Sequence, residues 1–347
     1  MSSYPYIYTF NFDFHLTELF ELETRQIFGK EATSKMLFSN KEIDPSISPF
    51  IKSRLDIQFG ESSYETLLIR IKKLEIKKEG FKAEYVVLHG DKTDYLERLN
   101  KLRDVGMRIE GYPDYEQPSI IYSICHYEGM WYFGILNKHD TSWYRHKSKP
   151  HSFSNSLGMD IAKSLVCIAS KGEKTTKLID TCCGVGTVML EACIAGFDIE
   201  GCDISPNATK YTELNLSHYN YSATVHCSDI NQLKGPYDTA IVDLPYNFYS
   251  YSDESITANI TQSAAKLASR IVIVSTADIR LHLEKNKMKV IDYCTVVKKA
   301  NLLSHEASGY VRKTTTNSLR FVTSYFVPRH FPMSFKIPRM NRIADRY

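Results

Sequence analysis

A strand that ends in an acid and passes through a glycine turn into a helix constrains this chain more than any other segment. The apolar run Lys177–Asp180 leads to Gly184 and Gly186, and a helical pattern begins at Thr187. Glycine reaches positive φ without a Cβ clash and lets a ligand approach the backbone closely. The segment has neither the three spaced glycines of a dinucleotide fingerprint nor the Gly-Lys-Ser/Thr of a phosphate loop. The pattern therefore predicts a strand–turn–helix unit that binds some other nucleotide-like ligand.

The spacing Asp-x-x-x-Gly-x-Gly from Asp180 to Gly186 resembles the first motif of S-adenosylmethionine-dependent methyltransferases. In that family the glycine turn lies under the amino-acid part of the cofactor, and an acid near this point commonly engages its amino group. The resemblance implies that S-adenosylmethionine contacts Asp180, Cys182, Gly184, Gly186 and Thr187. A glycine turn that only packs a helix against a strand is the alternative.

Two further acids close the next two predicted strands. Asp203 lies near the end of Asp198–Ile204, and Asp229 follows Ala223–Cys227. An acid that ends the second strand of a doubly wound sheet can accept hydrogen bonds from both ribose hydroxyls. An acid after the third strand can meet the exocyclic amine of adenine. Each acid alone could instead cap a helix, but three in register favour a cofactor site. The predicted cofactor contacts also include Ile204 and Ile230.

The fourth predicted strand, Asp238–Val242, leads into the tetrapeptide Asp243-Leu244-Pro245-Tyr246. It resembles the (Asp/Asn)-Pro-Pro-(Tyr/Phe) motif of enzymes that methylate exocyclic amines of nucleic-acid bases. In those enzymes the first side chain and the next backbone carbonyl accept the two amine hydrogens, and the aromatic ring stacks on the base. The resemblance implies these roles for Asp243, the Leu244 carbonyl and Tyr246. The alternative is a turn after a core strand that has no catalytic role.

Leu244 departs from that motif, in which proline is usual. Pro245 still biases Leu244 toward an extended backbone, and the chemistry would use the Leu244 carbonyl rather than its side chain. A base amine is a poor nucleophile because its lone pair is delocalised into the ring. Two fixed acceptors align that lone pair and stabilise the developing positive charge. No general base with a tuned pKa is required before the displacement.

Alternating helices and strands continue after this motif. Strand patterns at Arg270–Ser275, Val290–Val297 and Leu319–Val327 alternate with helical patterns at Ile256–Ala268 and near Asp278–Lys285. With the earlier strands they make a sheet whose last pair is close to a hairpin. The sequence thus predicts an α/β fold with the seven-stranded, doubly wound, Rossmann-like sheet of class I methyltransferases.

The first 140 residues predict a smaller α+β region, with a strand at Tyr4–Phe12 and a helix at Leu16–Phe28. Within this region, Tyr95–Arg103, Val105–Ile109 and Trp131–Ile135 resemble the latter part of a diverged THUMP module, an RNA-binding fold that recognises tRNA ends in its families. A THUMP-like region before an amine methyltransferase is the layout of tRNA guanosine-N2 methyltransferases. The resemblance therefore implies that family.

Residues 149–157 resemble the segment that precedes the glycine turn in the same family and helps to cover the cofactor.

The predicted organisation has five parts. The parts are an N-terminal α+β, ferredoxin-like region (1–60), a diverged THUMP-like RNA-binding domain (61–137), a basic linker (138–151), the methyltransferase domain (152–328) and a basic tail (329–347).

Local charge favours a nucleic-acid partner more than the total does, since the net charge is only +3. The linker carries Arg145, Lys147 and Lys149 beside two aromatic residues, and Arg312 and Lys313 lie in a loop before the last strand. Phosphate contacts need such clusters rather than a large total charge. We expect these five residues to contact RNA, with a solvated linker as the alternative.

Composition excludes several other classes of protein. The 43% hydrophobic and 24% charged residues are typical of a globular protein. None of the 8 cysteines forms a Cys-x-x-Cys pair, so we expect buried, reduced thiols and no metal. The first residues lack a basic region followed by an apolar core, so we expect no export, and no apolar run approaches the roughly 20 residues that span a bilayer. We expect a cytoplasmic monomer without a membrane partner.

The sequence thus predicts an S-adenosylmethionine-dependent methyltransferase that acts on the N2 amine of a guanosine in tRNA. An adenine-N6 methyltransferase that acts on RNA or DNA would use the same motif. The third hypothesis is a non-catalytic paralogue that only binds RNA.

Overall fold

The computed structural model describes residues 4–154, 156–244, 251–297 and 318–326, which form two sheets and the helices around them. The strands of the first sheet are β1 (Tyr6–Phe10), β2 (Met36–Ser39), β3 (Ile51–Glu61), β4 (Phe81–Tyr85), β5 (Ile120–Tyr127) and β6 (Met130–Lys138). Their order across the sheet is β2-β1-β3-β6-β5-β4. The helices of this part are α1 (Thr17–Phe28), α2 (Tyr64–Lys73) and α3 (Tyr95–Gly106).

The second sheet has seven strands in the order β12-β13-β11-β10-β7-β8-β9. These are β7 (Lys177–Asp180), β8 (Asp198–Asp203), β9 (Val225–Cys227), β10 (Tyr237–Asp243), β11 (Ala268–Ser275), β12 (Met288–Val297) and β13 (Ser318–Phe326). The helices of this part are α4 (Met159–Ser170), α5 (Thr187–Ile194), α6 (Pro206–His218), α7 (Tyr251–Leu267) and α8 (Arg280–Lys285).

The second sheet confirms the predicted class I methyltransferase fold. Its strands from β9 to β11 run parallel, while β13 pairs antiparallel with both β11 and β12. The strand order reverses between β7 and β10, and ligands bind at such a switch point, outside the carboxyl ends of the strands. Asp180 and Asp243 are the last residues of these two strands. The topology therefore brings together two acids that lie far apart in the sequence.

Strands β2 and β3 were not predicted. Ile51, Ser53 and Leu55 of β3 are buried in alternation, but Arg54 between them is also buried, at 7% exposure. Its guanidinium forms two hydrogen bonds with the Asp56 carboxylate, at 2.6 and 2.9 Å, and donates to the Ile43 carbonyl at 3.0 Å. A buried arginine interrupts the alternation of apolar and polar residues that identifies a strand.

The division of residues 1–137 into a ferredoxin-like and a THUMP-like region stays a prediction. In the structure, strands from both sides of residue 60 share the first sheet. None of the helices within the described ranges is long and apolar enough to cross a membrane. All the cysteines are free, and Cys227 is exposed rather than buried as expected because it lies at the end of a short edge strand.

Helix α1 joins the N-terminal part to the methyltransferase sheet. Its buried residues Leu19, Leu22 and Ile27 share one core cluster with residues of α4 and α5. At its end, the Arg25 guanidinium forms a two-point ion pair with Asp292 of β12, at 2.9 and 3.0 Å. The Gln26 amide donates to the same carboxylate at 3.0 Å. A single acid thus holds α1 against the far side of the sheet.

We predict that Asp292→Ala lowers the free energy of unfolding by about 2 kcal/mol, because it removes a half-buried, two-point ion pair and the hydrogen bond from Gln26. Asp278→Ala is the matched control, since the Asp278–Arg280 pair is more exposed and should contribute less to stability. Urea titration measures both. Equal losses in the two variants would contradict the anchoring role of Asp292.

Candidate active site

The glycine turn is fixed by hydrogen bonds to the neighbouring strands. Directly after β7, the Thr181 backbone N–H and hydroxyl both donate to the Ile241 carbonyl of β10, at 2.9 and 3.1 Å. Two residues further on, the Cys183 backbone N–H donates to the Cys202 carbonyl of β8 at 2.9 Å. These bonds bind the turn to the strands on both sides of β7.

The two glycines of the turn serve different purposes. Gly184 has φ of +55°, and a Cβ added to it would meet no atom within 4 Å. Gly186 has φ of +79°, but its added Cβ would lie 2.7 Å from the Thr212 side chain of α6. Both positions favour glycine because their φ is positive. Gly184 therefore keeps space open for a ligand, whereas Gly186 allows close packing against α6.

A buried asparagine braces the turn against the preceding segment. Asn215 of α6 is fully buried, and its amide donates to the carbonyls of Val185 and His151, at 2.8 and 2.9 Å. Its side-chain oxygen accepts from the His151 backbone N–H at 3.0 Å. The segment around His151 and the glycine turn are thus held by one side chain.

A cleft of about 280 Å³ opens above the turn. Its wall includes three acids, Asp180, Asp203 and Asp243, that come from the ends of three neighbouring strands. The other lining residues are Phe153, Ser156, Leu157, Cys182, Cys183, Gly184, Val185, Thr187, Val188, Ser205, Ala208 and Leu244.

Asp180 is the most unusual group in this cleft. It is 2% exposed, and its Oδ1 has no hydrogen-bond partner among the described residues. Burial raises the pKa of Asp180 to about 8, and the negative charges of Asp243 and Asp203 act in the same direction. A buried acceptor without a partner costs free energy unless a ligand supplies a donor. A cationic amino group at this position would satisfy Oδ1 and favour the ionised carboxylate.

Asp203 is held by two backbone donors. Its Oδ2 accepts from the Gly184 N–H at 2.9 Å, and its Oδ1 accepts from the Ser205 N–H at 2.9 Å. Each carboxylate oxygen can accept a further hydrogen bond. The Asp203 carboxylate is therefore fixed in the cleft with capacity left for two ligand hydroxyls.

Four of the predicted cofactor contacts are not among the residues that line the cleft: Gly186, which packs against α6, and Asp229, Ile230 and Ile204. Asp229 caps the short 3₁₀ helix at Ile230–Gln232, and its Oδ1 accepts from the Asn231 backbone N–H at 2.9 Å. Ile230 is 8% exposed and packs in the core, whereas Ile204 is 72% exposed. Their contact with the adenosine part of a cofactor stays a prediction.

The predicted catalytic residues are only partly described. Asp243 ends β10, and Leu244 follows it with 6% exposure and its N–H bonded to the Val274 carbonyl at 3.0 Å. Pro245 and Tyr246 lie outside the described residues. The predicted RNA contacts Arg312 and Lys313 do so as well.

The linker cations lie in three different environments. The Arg145 guanidinium donates to the Tyr221 hydroxyl at 2.7 Å, and the Lys147 ammonium lies 4.7 Å from the centre of the Tyr144 ring. Burial lowers the pKa of Lys149, and the nearby Glu191 carboxylate opposes that effect. Contact of these residues with RNA stays a prediction.

Several lining residues were missed by sequence reasoning. Val185 and Val188 flank the predicted glycine contacts, and Ser205 and Ala208 follow Asp203 at the start of α6. They are ordinary apolar or small residues with no chemical signature of their own. Only their closeness in the sequence to the predicted contacts could have indicated them.

The topology and this acid-lined turn define a class I methyltransferase domain that uses S-adenosylmethionine. The cofactor fits the residues present: Asp180 offers a buried acceptor for its amino group, Gly184 leaves space beside the backbone, and Asp203 offers acceptors for ribose hydroxyls. The described residues contain no group of three or more His, Cys, Asp or Glu side chains that could hold a metal ion.

One family model agrees with this class. Residues 143–290 match the family model described as RMKL-like, methyltransferase domain. The chain is similar to the crystal structure of TrmN from Thermus thermophilus, with 12% identity, 93% of this chain and 99% of that chain covered, and a TM-score of 0.44. It is also similar to magnesium protoporphyrin IX methyltransferase from Synechocystis PCC 6803 with bound S-adenosylmethionine, with 17% identity, coverage of 54% and 92%, and a TM-score of 0.38. No curated protein matches the sequence.

We predict that cofactor binding releases protons. Because the pKa of Asp180 is raised to about 8, most of this carboxyl is protonated at pH 6.5, and a bound ammonium group would expel the proton. Calorimetric titration at pH 6.5 in two buffers of different ionisation enthalpy should give about one proton released per S-adenosylmethionine. Cofactor affinity should correspondingly rise as the pH increases toward 8.

Asp180→Asn is the matched variant for this titration. It should release no proton and should weaken cofactor binding more than about tenfold, since it removes the charge that faces the amino group. Zero proton release by the unaltered protein would contradict the contact between Asp180 and the amino group.

Proposed function

We propose that this protein transfers a methyl group from S-adenosylmethionine to the N2 amine of a guanosine in tRNA. One observation carries the proposal: Asp243 and Leu244 line the same cleft as Asp180 and Gly184. This shared cleft supports the proposal, because an acceptor for a substrate amine and the cofactor would occupy one cavity. The adjoining tetrapeptide resembles the motif of base-amine methyltransferases.

The chain's own contribution to this reaction is to orient the amine. The Asp243 carboxylate accepts one amine hydrogen, and the Leu244 carbonyl accepts the other. S-adenosylmethionine, when bound, supplies a methyl group that is activated toward nucleophiles. The negative charge of Asp243 stabilises the positive charge that develops on the amine nitrogen, and the fixed geometry lowers the entropy cost of reaction. A guanosine in a paired stem would have to be flipped out of its helix to reach this position.

A groove in the N-terminal part supports an RNA substrate. It has a volume of about 670 Å³ and is lined by Lys35, Lys52 and Lys138, with Tyr85 and Tyr144 among the other lining residues. The Lys138 ammonium pairs with the Glu84 carboxylate at 2.7 Å, whereas Lys35 and Lys52 are exposed. Lysines that line a groove with aromatic walls suit a phosphate backbone with unpaired bases.

We predict that Asp243→Ala lowers kcat at least about 100-fold, because it removes an acceptor that acts on the developing charge. Cofactor binding should persist, since the loss of a nearby negative charge favours the ionised form of Asp180. Asp238→Ala is the control: it lies on the same strand, and its carboxylate accepts from the Lys177 backbone N–H at 2.8 Å. Normal turnover by Asp243→Ala would contradict the proposed mechanism.

The substrate is tested by transfer of labelled methyl groups to total tRNA from cells that lack this protein, followed by nucleoside analysis by mass spectrometry. The proposal expects the label in N2-methylguanosine. Label in N6-methyladenosine would replace guanine by adenine as the target base. Label in ribosomal RNA or DNA, but not in tRNA, would overturn the proposed substrate.

A further inference from the structure

A chain of hydrogen bonds runs from the protein surface to the helix that follows the glycine turn. The exposed Arg145 guanidinium donates to the Tyr221 hydroxyl at 2.7 Å. That hydroxyl lies 3.1 Å from Nε2 of His146, and Nδ1 of the same imidazole lies 2.7 Å from the Glu191 carboxylate. His146 is 1% exposed and Glu191 is fully buried. Four side chains thus connect solvent with the interior of the methyltransferase domain.

One arrangement of hydrogens satisfies every link in the same direction. Arg145 donates to Tyr221, the Tyr221 hydroxyl donates to Nε2 of a neutral His146, and Nδ1–H donates to Glu191. The ionised carboxylate ends the chain as an acceptor, and hydrogen bonds in such a chain polarise one another. The four side chains therefore form one continuous hydrogen-bonded path from Arg145 to Glu191.

The buried end of the chain lies on the cofactor side. Glu191 belongs to α5, which begins directly after Gly186, and Val188 of the same helix lines the cofactor cleft. The Leu190 N–H bonds back to the Gly186 carbonyl at 2.9 Å, so Glu191 lies just over one helical turn beyond the glycine loop. His146 is a hydrogen-bond partner that this helix receives from outside the sheet. The imidazole therefore helps to set the position of α5.

The exposed end directly follows, in the sequence, a residue that lines the groove of the N-terminal part, although Arg145 itself is not a lining residue. His146 and Arg145 belong to the 3₁₀ helix Ser142–Ser148, and Tyr144 of this helix lines the groove. The Arg145 guanidinium carbon lies 5.6 Å from the ring centres of both Tyr219 and Tyr221. Tyr221 uses one of the five N–H donors of arginine, which leaves others for a phosphate. A polyanion in the groove would therefore meet the start of the chain.

We propose that His146 is a positioning residue through which a polyanionic substrate at Arg145 tightens cofactor binding at the glycine turn. The inference rests on the proposed function, because the polyanion is the RNA substrate. A phosphate on Arg145 pins the 3₁₀ helix against α6 and α5, and the imidazole then holds α5 in the geometry that the cofactor needs. Thermodynamic linkage requires the effect to be reciprocal, so cofactor must tighten RNA binding by the same factor.

The test uses Tyr221→Phe, which removes the hydroxyl that joins Arg145 to His146 but keeps the aromatic ring. Tyr219→Phe is the matched control, since the Tyr219 hydroxyl donates to the Arg145 carbonyl at 2.9 Å and is not part of the hydrogen-bond chain from Arg145 to Glu191. For each protein, the affinity for S-adenosylhomocysteine, which cannot transfer a methyl group, is measured with and without saturating unfractionated tRNA. The thermal midpoint of each variant verifies that it folds.

We expect tRNA to tighten S-adenosylhomocysteine binding about fivefold or more in the unaltered protein and in Tyr219→Phe. In Tyr221→Phe, the factor should fall below about twofold, while the affinity for each ligand alone changes little. Full coupling in Tyr221→Phe, or tRNA binding without any coupling in the unaltered protein, would overturn this inference and leave the proposed function intact. Absence of both tRNA binding and methyl transfer would overturn the two together.

Discussion

The carboxylate of Asp180, buried without a partner on one oxygen, is the constraint on which the cofactor cleft depends. Its raised pKa means that the folded protein holds a proton that the unfolded chain would already release above about pH 4. The protein without ligand should therefore lose stability as the pH rises from about 4 toward 8. The surrounding structure tolerates this cost because strands β7, β10 and β8 fix the turn through backbone hydrogen bonds. A cationic ligand would recover the cost, and we therefore propose that Asp180 binds a ligand rather than serving a structural role.

The N-terminal part is integrated with the methyltransferase domain rather than appended to it. Helix α1 contributes to the same core cluster as α4 and α5, and the Arg25–Asp292 pair anchors its end. The 3₁₀ helix Ser142–Ser148 crosses between the groove and α5 with Trp143 and His146 buried. The groove and the cofactor cleft are thus linked by packed side chains, which gives the proposed coupling a continuous physical route.

The sequence predicted the methyltransferase half well because that half follows local rules. Strand β7 has its predicted bounds, and the acids at the strand ends mark the turns that a parallel sheet brings together. The N-terminal sheet was harder to predict. The buried Arg54 interrupts the alternation of apolar and polar residues in β3. Strand β1 also pairs with β2 and β3, which lie far from it in the sequence. The link from Arg145 to Glu191 could not be predicted, since its members lie in three separate elements. The basic composition of the linker does not indicate that the His146 side chain is buried.

A crystal structure of the protein with S-adenosylhomocysteine would be the most decisive test of the cofactor site. We expect the amino group of the ligand to lie within about 3.2 Å of the Asp180 carboxylate and the ribose hydroxyls to bond to Asp203. Asp243 should face the position from which a methyl group would depart. A ligand bound elsewhere, or an Asp180 carboxylate satisfied by a group of the protein while the amino group lies apart from it, would show that Asp180 does not bind the cofactor.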